Sequence, residues 1–167
     1  MNCPNCGAPM RPAETEDSLC CEYCRSIYTP EENEEGVRLL GEDSPLHCPV
    51  CAAPLQEAAL ASHRIRYCSR CEGMLVKMDD FVGLISELRA GHSAAGNVQS
   101  AADRRGLERH IQCPQCNQPM DTHFYEGPGN IIIDDCSHCF LNWLDKGELM
   151  RIVHAPDHLY ARDEYGR

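Results

Sequence analysis

The chain has 167 residues, 13 of them cysteine, and carries a formal net charge of −11 at pH 7. This length suits one ordinary domain or several very small ones, and the cysteine content favours the second. Units of about 40 residues bury too little apolar surface to be stable alone and usually depend on a metal or on disulfides. The negative charge argues against general nucleic-acid binding, which depends largely on Lys and Arg at the phosphates.

A pattern of paired cysteines occurs three times along the chain. Each copy opens with C-P-x-C-x-x-P followed by Met or Leu, and closes with a second C-x-x-C pair. A repeat that keeps its prolines as well as its cysteines is not a chance cluster. Two C-x-x-C pairs joined by a hairpin-length spacer are typical of a structural four-cysteine zinc site. The predicted metal ligands are Cys3, Cys6, Cys21, Cys24, Cys48, Cys51, Cys68, Cys71, Cys113, Cys116, Cys136 and Cys139.

The choice between metal and disulfides follows from the expected location. The chain begins without a basic start or an apolar run, and no stretch approaches ~18 apolar residues. We therefore expect a cytoplasmic protein without a signal peptide or a membrane span, where thiols stay reduced and paired cysteines bind metal. Three Zn2+ ions per chain are the favoured cofactors, and an all-sulfur tetrahedron leaves iron as the alternative.

The predicted fold is a small metal-stabilised α+β protein of three tandem zinc ribbons. Each ribbon is a β-hairpin with two cysteine knuckles, and each is followed by a short helix. Turn residues between 126 and 130 separate predicted strands at 120–125 and 131–134, and residues 64–67 alternate as a returning strand. The residue after the second cysteine of a knuckle needs a left-handed conformation, which Gly7 and Asn117 tolerate better than Ala52.

Helix signals follow the second cysteine pair of each repeat. Asp145 and Glu148 predict a capping box at the start of the last helix. Residues 29–32, Thr-Pro-Glu-Glu, predict another after repeat one. In repeat two a helix is predicted to start at Asp79 or Asp80, and its apolar stripe is Phe81, Leu84, Ile85 and Leu88.

These elements predict six segments. They are ribbon 1 (1–35), a linker (36–47), ribbon 2 with its helix (48–89), a flexible or partly helical linker (90–112), ribbon 3 with its helix (113–154) and a polar tail (155–167).

The end of ribbon 3 resembles the transcription factor IIB-type zinc-finger family, whose units read C-x-x-C-x-G-x-W-L-D-x-G-E-L. Ribbon 3 departs from that pattern at Leu141, where the family has Gly. Ribbon 2 keeps Gly73 but has Leu75 for the Trp and Lys77 for the capping Asp, and ribbon 1 is a generic zinc ribbon. The resemblance implies a zinc-ribbon fold and zinc binding, whereas the link to transcription is an analogy. The matching positions of ribbon 3 are Trp143, Leu144, Asp145, Gly147, Glu148 and Leu149.

Three residues outside the pairs are candidates for function. Cys20 is interpreted as a small buried or edge residue, with a substitute ligand for Cys21 or a redox thiol as the alternative. His63 and His123 lie in hairpin segments, where an extra ligand role is not favoured because each repeat already has four sulfurs.

One strand of ribbon 2 is basic. Arg64 and Arg66 share one strand face, and Tyr67 and Arg70 extend the group, so a contact with phosphates or a stacked base is one interpretation. The more common alternative is a solvated face that pairs with acidic neighbours.

The sequence favours a role without catalysis. It contains no Ser-His-Asp pattern, phosphate loop or HExxH motif, and a zinc ion held by four cysteines has no open position for water. We expect an adaptor for a protein partner, in transcription or regulation, that does not act at a membrane. The alternatives are a nucleic-acid binder through the basic strand and a thiol redox or metal-responsive protein.

Overall fold

The structure is a computed structural model that describes residues 1–13, 17–91, 107–127 and 130–155. The described part is mostly β-sheet with two helices. The strands are β1 (Met10–Pro12), β2 (Leu19–Cys21), β3 (Ile27–Tyr28), β4 (Val37–His47), β5 (Pro54–Leu60), β6 (His63–Tyr67), β7 (Met74–Lys77), β8 (Asp121–Phe124), β9 (Ile132–Cys136) and β10 (Leu141–Leu144). The helices are α1 (Met78–Gly91) and α2 (Glu148–His154).

Ribbons 2 and 3 share one antiparallel sheet of seven strands. Its order is β4-β5-β6-β7-β10-β9-β8. Each ribbon contributes three strands, β4 adds the seventh, and the last strands of the two ribbons meet at the centre. In that central pair Leu75 lies opposite Trp143 and Met74 lies opposite Leu144. The central pair is antiparallel, and outward from it the strands follow as β7, β6, β5 on one side and β10, β9, β8 on the other. The two ribbons are therefore arranged as if related by a two-fold axis through the central pair.

Both helices pack on one face of the seven-stranded sheet. Side chains alternate between the faces of a strand, and Ile65 and Tyr67 of β6 point to the helix face together with Met74 and Val76 of β7. Burial of such a side chain stabilises the fold by ~1.5–3 kcal/mol. The helices contribute Phe81, Leu84, Ile85, Leu149, Ile152 and Val153 to this core.

Ribbon 1 forms its own sheet of three short strands in the order β1-β2-β3. It packs against the β4–β5 pair, because Leu40 and Ala59 join Met10 and Leu19 in a separate buried cluster. The seven-stranded sheet therefore carries the helices on one face and ribbon 1 on part of the other.

The segment 36–47 is predicted as a linker, but residues 37–47 form β4, the edge strand of the seven-stranded sheet. β4 pairs with β5 through two register shifts, one between Leu39 and Asp43 and one between Asp43 and His47. Gly41 and Pro45 make the sequence look irregular, yet an edge strand accommodates such residues because one side of its backbone is unpaired.

The helix predicted after ribbon 1 is wrong, since the described residues after Tyr28 lead through a turn into β4. Asn33 Oδ1 accepts hydrogen bonds from the N–H groups of Glu35 at 3.0 Å and Val37 at 2.9 Å. An Asn side chain that binds nearby backbone donors competes with the helix for them.

In the segments predicted as hairpin strands of ribbons 2 and 3, the structure has β6, β8 and β9. α1 begins at Met78, one residue before Asp79, which is the earlier of the two predicted starts. Residues 14–16 of ribbon 1, two residues of the turn predicted at 126–130, most of the segment 90–112 and nearly all of the tail 155–167 lie outside the described residues.

Candidate zinc centres

Five of the six described knuckles are tight turns that a pair of backbone hydrogen bonds closes. In ribbon 2 the N–H of Cys48 donates to the carbonyl of Ala53 at 2.8 Å, and the N–H of Ala52 donates to the carbonyl of Cys48 at 2.9 Å. Because this turn brings both cysteines of a pair to the same side, it aims two sulfurs at one point. The same pair of bonds closes the knuckles that begin at Cys3, Cys21, Cys68 and Cys113.

A left-handed residue follows the second cysteine of every knuckle. The predicted positions Gly7, Ala52 and Asn117 have φ values of 77°, 58° and 59°. Glycine adopts this conformation freely, whereas the other residue types pay a conformational cost. The same conformation occurs at Arg25, Glu72 and Phe140 in the second knuckles.

The four cysteine sulfurs of each ribbon converge, with all Sγ atoms of a group within 4.8 Å of one another. The Sγ atoms of Cys48 and Cys71 are 3.5 Å apart, and those of Cys116 and Cys136 are 3.7 Å apart. Sulfurs at about 2.3 Å from a tetrahedral Zn2+ are about 3.8 Å from one another. The predicted ligand sets therefore fit one Zn2+ each, three per chain.

Hydrogen bonds inside the knuckles favour the thiolate at some of the ligands, whereas burial raises the pKa of others such as Cys48. The backbone N–H of Ala53 lowers the pKa of Cys51 to about 7. The Ser26 hydroxyl, 3.1 Å from Cys24 Sγ, lowers the pKa of that thiol to about 5. Zn2+ binds the deprotonated sulfur, so these groups are prepared for the metal near neutral pH.

Cys20 is not part of the ribbon 1 group, to which Cys21 contributes the ligand. On β2, Cys20 lies opposite Arg11 and is partly exposed at the outer side of the small sheet. Because β2 is the central strand of this sheet and Cys20 also pairs with Ile27, the interpretation as a buried or edge residue is wrong, and Cys20 is a partly exposed residue of a paired strand.

The hairpin histidines bind carboxylates. His63 Nε2 lies 3.5 Å from a Glu87 oxygen, and His123 Nε2 lies 2.6 Å from Asp135 Oδ1. Burial alone would lower the pKa of His123, but the Phe124 carbonyl and the Asp135 carboxylate raise it above its ordinary value. Neither histidine belongs to a sulfur group of the described residues.

The zinc groups of ribbons 2 and 3 border one apolar core on the sheet face opposite the helices. Trp143 is fully buried there beside Leu75. A Cβ atom on Gly73 would lie 3.0 Å from Cη2 of Trp143 and closer still to Cζ2, so the Trp fills the space that this Gly leaves open. Leu141, the departure from the family pattern, stands at the position of Gly73 in the other ribbon.

Sequence analysis missed a partly buried ionic network centred on Arg109. Its guanidinium donates to the carboxylates of Asp134 and Asp145, and Asp134 is 1% exposed. Asp145 Oδ1 also accepts a hydrogen bond from Trp143 Nε1 at 3.0 Å. The network fastens the segment before ribbon 3 to the capping region of α2. Because the segment around Arg109 has no helix or strand periodicity, the sequence does not indicate which carboxylates this Arg contacts.

The basic strand is mostly engaged within the protein. Arg66 Nε lies 3.0 Å from Glu57 Oε1, and an Arg64 Nη2 group donates to the carbonyl of Ala13 in ribbon 1 at 3.2 Å. Tyr67 is 3% exposed and lies in the core on the helix side, so its ring has no open face for a base. Of the four candidate residues only Arg70 is exposed.

Glu148 forms half of the predicted capping box. Its carboxylate accepts a hydrogen bond from the N–H of Asp145 at 2.8 Å, whereas the Asp145 side chain serves Trp143 and Arg109 instead. Burial, opposed by that N–H, raises the pKa of Glu148 to about 7.

This raised pKa predicts a pH effect on stability. Below its ordinary pKa Glu148 is neutral in both folded and unfolded chains, and its stabilising contribution is lost as the pH rises through about 7. Glu148→Gln keeps an acceptor for Asp145 but carries no charge. Because the contribution is lost between pH 4.5 and about 7, we expect the substitution to raise the free energy of unfolding by ~1–3 kcal/mol at pH 8 and by less than half of that at pH 5.5.

Urea denaturation of the zinc-loaded chain at the two pH values measures this effect, with the exposed Glu31→Gln as the control. Equal destabilisation of Glu148→Gln at both pH values would mean that the cap requires the charged carboxylate.

The fold and the three sulfur groups define a zinc-ribbon protein with structural four-cysteine sites. The model of the family described as transcription factor zinc-finger matches residues 47–87 and 112–155, together just over half of the chain. The chain therefore belongs to this transcription factor IIB-type zinc-finger family, through ribbons 2 and 3. Ribbon 1 lies outside the matched residues although its sulfur group is present. No curated protein and no solved structure matches the chain. No helix of the described residues has the length and apolar character needed to cross a membrane.

Proposed function

We propose that the chain is a non-enzymatic adaptor that binds a protein partner through its zinc ribbons, in transcription or its regulation. The observation that carries the proposal is the closure of all three metal groups, since four sulfurs fill the tetrahedron of each Zn2+. Each metal then has no position for water or substrate, and its use is to hold hairpins and knuckles in a fixed shape.

Charge indicates the kind of partner. Four thiolates and one Zn2+ carry −2, so three filled sites change the formal charge from −11 to about −17. A protein this acidic attracts a basic protein surface. Apolar contact is offered by Tyr23 and Ile27 of ribbon 1, which are 84% and 70% exposed.

The test is affinity capture with the zinc-loaded chain, followed by calorimetry with each purified partner. We expect a basic protein that binds the wild type and loses at least tenfold in affinity to Tyr23→Ser/Ile27→Ser. Val82→Ser, an equally exposed change on α1, is the matched control. If no purified protein binds the chain, or a captured protein is a substrate that the chain converts, the adaptor proposal fails.

A second prediction concerns nucleic acid. Because Tyr67 is buried and Arg64 and Arg66 have partners inside the protein, we expect no sub-micromolar binding to random duplex DNA or single-stranded RNA at ~150 mM salt. Fluorescence anisotropy measures this binding. Tight binding that weakens steeply with salt and is lost in Arg64→Ala/Arg66→Ala would favour the nucleic-acid alternative.

A further inference from the structure

The zinc groups of ribbons 2 and 3 are parts of one buried cluster. Cys48 and Cys68 of one group and Cys113 and Cys136 of the other are each at most 3% exposed and belong to the same cluster. The apolar members of this cluster are Leu55, Leu75, Ile111, Met120, Leu141 and Trp143. Unfolding either group would expose side chains that support the other.

Two direct contacts join the second knuckle of each ribbon to the other ribbon, next to the centre of the sheet. The carbonyl of Phe140, in the ribbon 3 knuckle, accepts a hydrogen bond from the N–H of Met78 at 2.9 Å. Trp143 of ribbon 3 covers Gly73, which follows the second cysteine pair of ribbon 2. Each knuckle is therefore shaped in part by the other ribbon.

The zinc group of ribbon 1 lies apart from this cluster. It borders a smaller core with Met10, Leu19, Leu40 and Ala59, and its strands have only two or three residues. No helix of the described residues belongs to that core. Its ligand Cys6 is exposed, whereas every ligand in ribbons 2 and 3 is buried or partly buried.

The turn that follows ribbon 1 is held by hydrogen bonds to ribbons 2 and 3. The Asn33 amide donates to the Tyr67 hydroxyl at 3.1 Å, and Glu35 Oε1 accepts a hydrogen bond from the N–H of Gly147 at 2.8 Å. The turn after ribbon 1 is thus fixed to ribbons 2 and 3, and β4 beyond it is paired with β5. Local unfolding of residues 1–28 leaves the seven-stranded sheet with its own hydrogen bonds.

We propose that ribbon 1 holds an exchangeable zinc ion, while ribbons 2 and 3 bind and release their two zinc ions as one unit. A metal that folds its own small unit is lost with that unit. Two metals that stabilise one shared core raise each other's affinity, because the coupling between sites is reciprocal. At limiting zinc the chain then passes from three ions to two and from two to none.

Native mass spectrometry during a chelator titration tests this order. We expect a two-zinc species to accumulate and a one-zinc species to stay below about a tenth of the population. The second release should require at least tenfold more chelator than the first. Alkylation of free thiols, followed by peptide mapping, should label Cys3, Cys6, Cys21 and Cys24 in the two-zinc species.

Two variants control the assignment. Cys6→Ser/Cys24→Ser should bind two zinc ions and release them in the single later step. Trp143→Leu, which removes the contact over Gly73, should weaken the coupling and make a one-zinc species visible. Should Trp143→Leu fail to fold, the wild-type titration and the cysteine variant still decide the matter.

If the wild-type chain passes through two-zinc and one-zinc species of comparable abundance, the proposed coupling between the zinc ions of ribbons 2 and 3 is wrong. Labelling of ribbon 2 or ribbon 3 cysteines in the two-zinc species would overturn the assignment of the exchangeable site. The zinc count and the thiol map are independent of any partner, so their outcome is separate from that of the adaptor proposal.

Discussion

Removal of all zinc is expected to abolish the tertiary structure of ribbons 2 and 3. Structural zinc contributes on the order of 10 kcal/mol in small domains, whereas a whole domain is stable by only ~5–15 kcal/mol. The free energy lost with two coupled zinc ions is therefore larger than the free energy of unfolding of the whole domain. The near-ultraviolet circular dichroism of Trp143, the single Trp of the chain, should disappear because its surroundings include the sulfur groups.

Circular dichroism before and after stripping with a chelator, with zinc measured in the same samples, checks this expectation. The loaded chain should contain three zinc ions, and Zn2+ but not Mg2+ should restore the spectrum. Unchanged near- and far-ultraviolet spectra in a sample shown to be free of metal would contradict it.

Substitution of Gly73 by Ala is expected to destabilise the protein by ~2–4 kcal/mol. The new Cβ would overlap the ring of Trp143, and the fully buried ring has no room to move. Trp143→Leu alone should also cost ~2–4 kcal/mol, because it leaves a cavity. In the double variant the smaller side chain makes room for the new methyl group, so its cost should be at least ~1 kcal/mol below the sum.

Denaturant unfolding of the zinc-loaded variants measures these values. Gly91→Ala is the matched control, since a Cβ there meets nothing within 4 Å, and we expect a change of ~0.5 kcal/mol or less. Additive costs in the Gly73 and Trp143 cycle would show that the two residues do not interact.

The local features of the sites were predictable because they are encoded within a few residues. The C-P-x-C pairs and the spacing to the second pairs fix the ligands, and each ligand set converges in the structure. The left-handed position after the second cysteine was predicted at Ala52, where the residue type fits it poorly, because the repeat places it there. The apolar stripe of α1 identified Phe81, Leu84 and Ile85 as buried.

Features that depend on distant partners were not predictable. Residues 29–32 have the sequence of a capping box, but a turn at Asn33 leads into a strand there, where Val37 pairs with Leu60. The join between ribbons 2 and 3 arises because two strands of similar apolar pattern find each other across a long connection. Arg109 likewise acquires its role only when Asp134 and Asp145 are brought together.

The central strand pair explains why ribbons 2 and 3 each depart from the family pattern. Ribbon 2 has Gly73 and Leu75, and ribbon 3 has Leu141 and Trp143, at equivalent positions. Because Leu75 lies opposite Trp143 and Trp143 covers Gly73, one ribbon supplies the space that the other fills. Each ribbon taken alone departs from the family pattern, but the small residue of ribbon 2 and the large residue of ribbon 3 are complementary when the two strands pair.

The joining of two ribbons at β7 and β10 also determines which strand edges face solvent. A lone ribbon would expose β7 or β10 as a template for other chains, with buried-type residues such as Val76 and Leu144 along it. In the joined sheet the outermost strands are β4, broken by Gly41 and Pro45, and β8, which has only four residues. Irregular and short edges resist edge-to-edge aggregation. The pairing therefore protects a cysteine-rich chain against self-association while it remains folded.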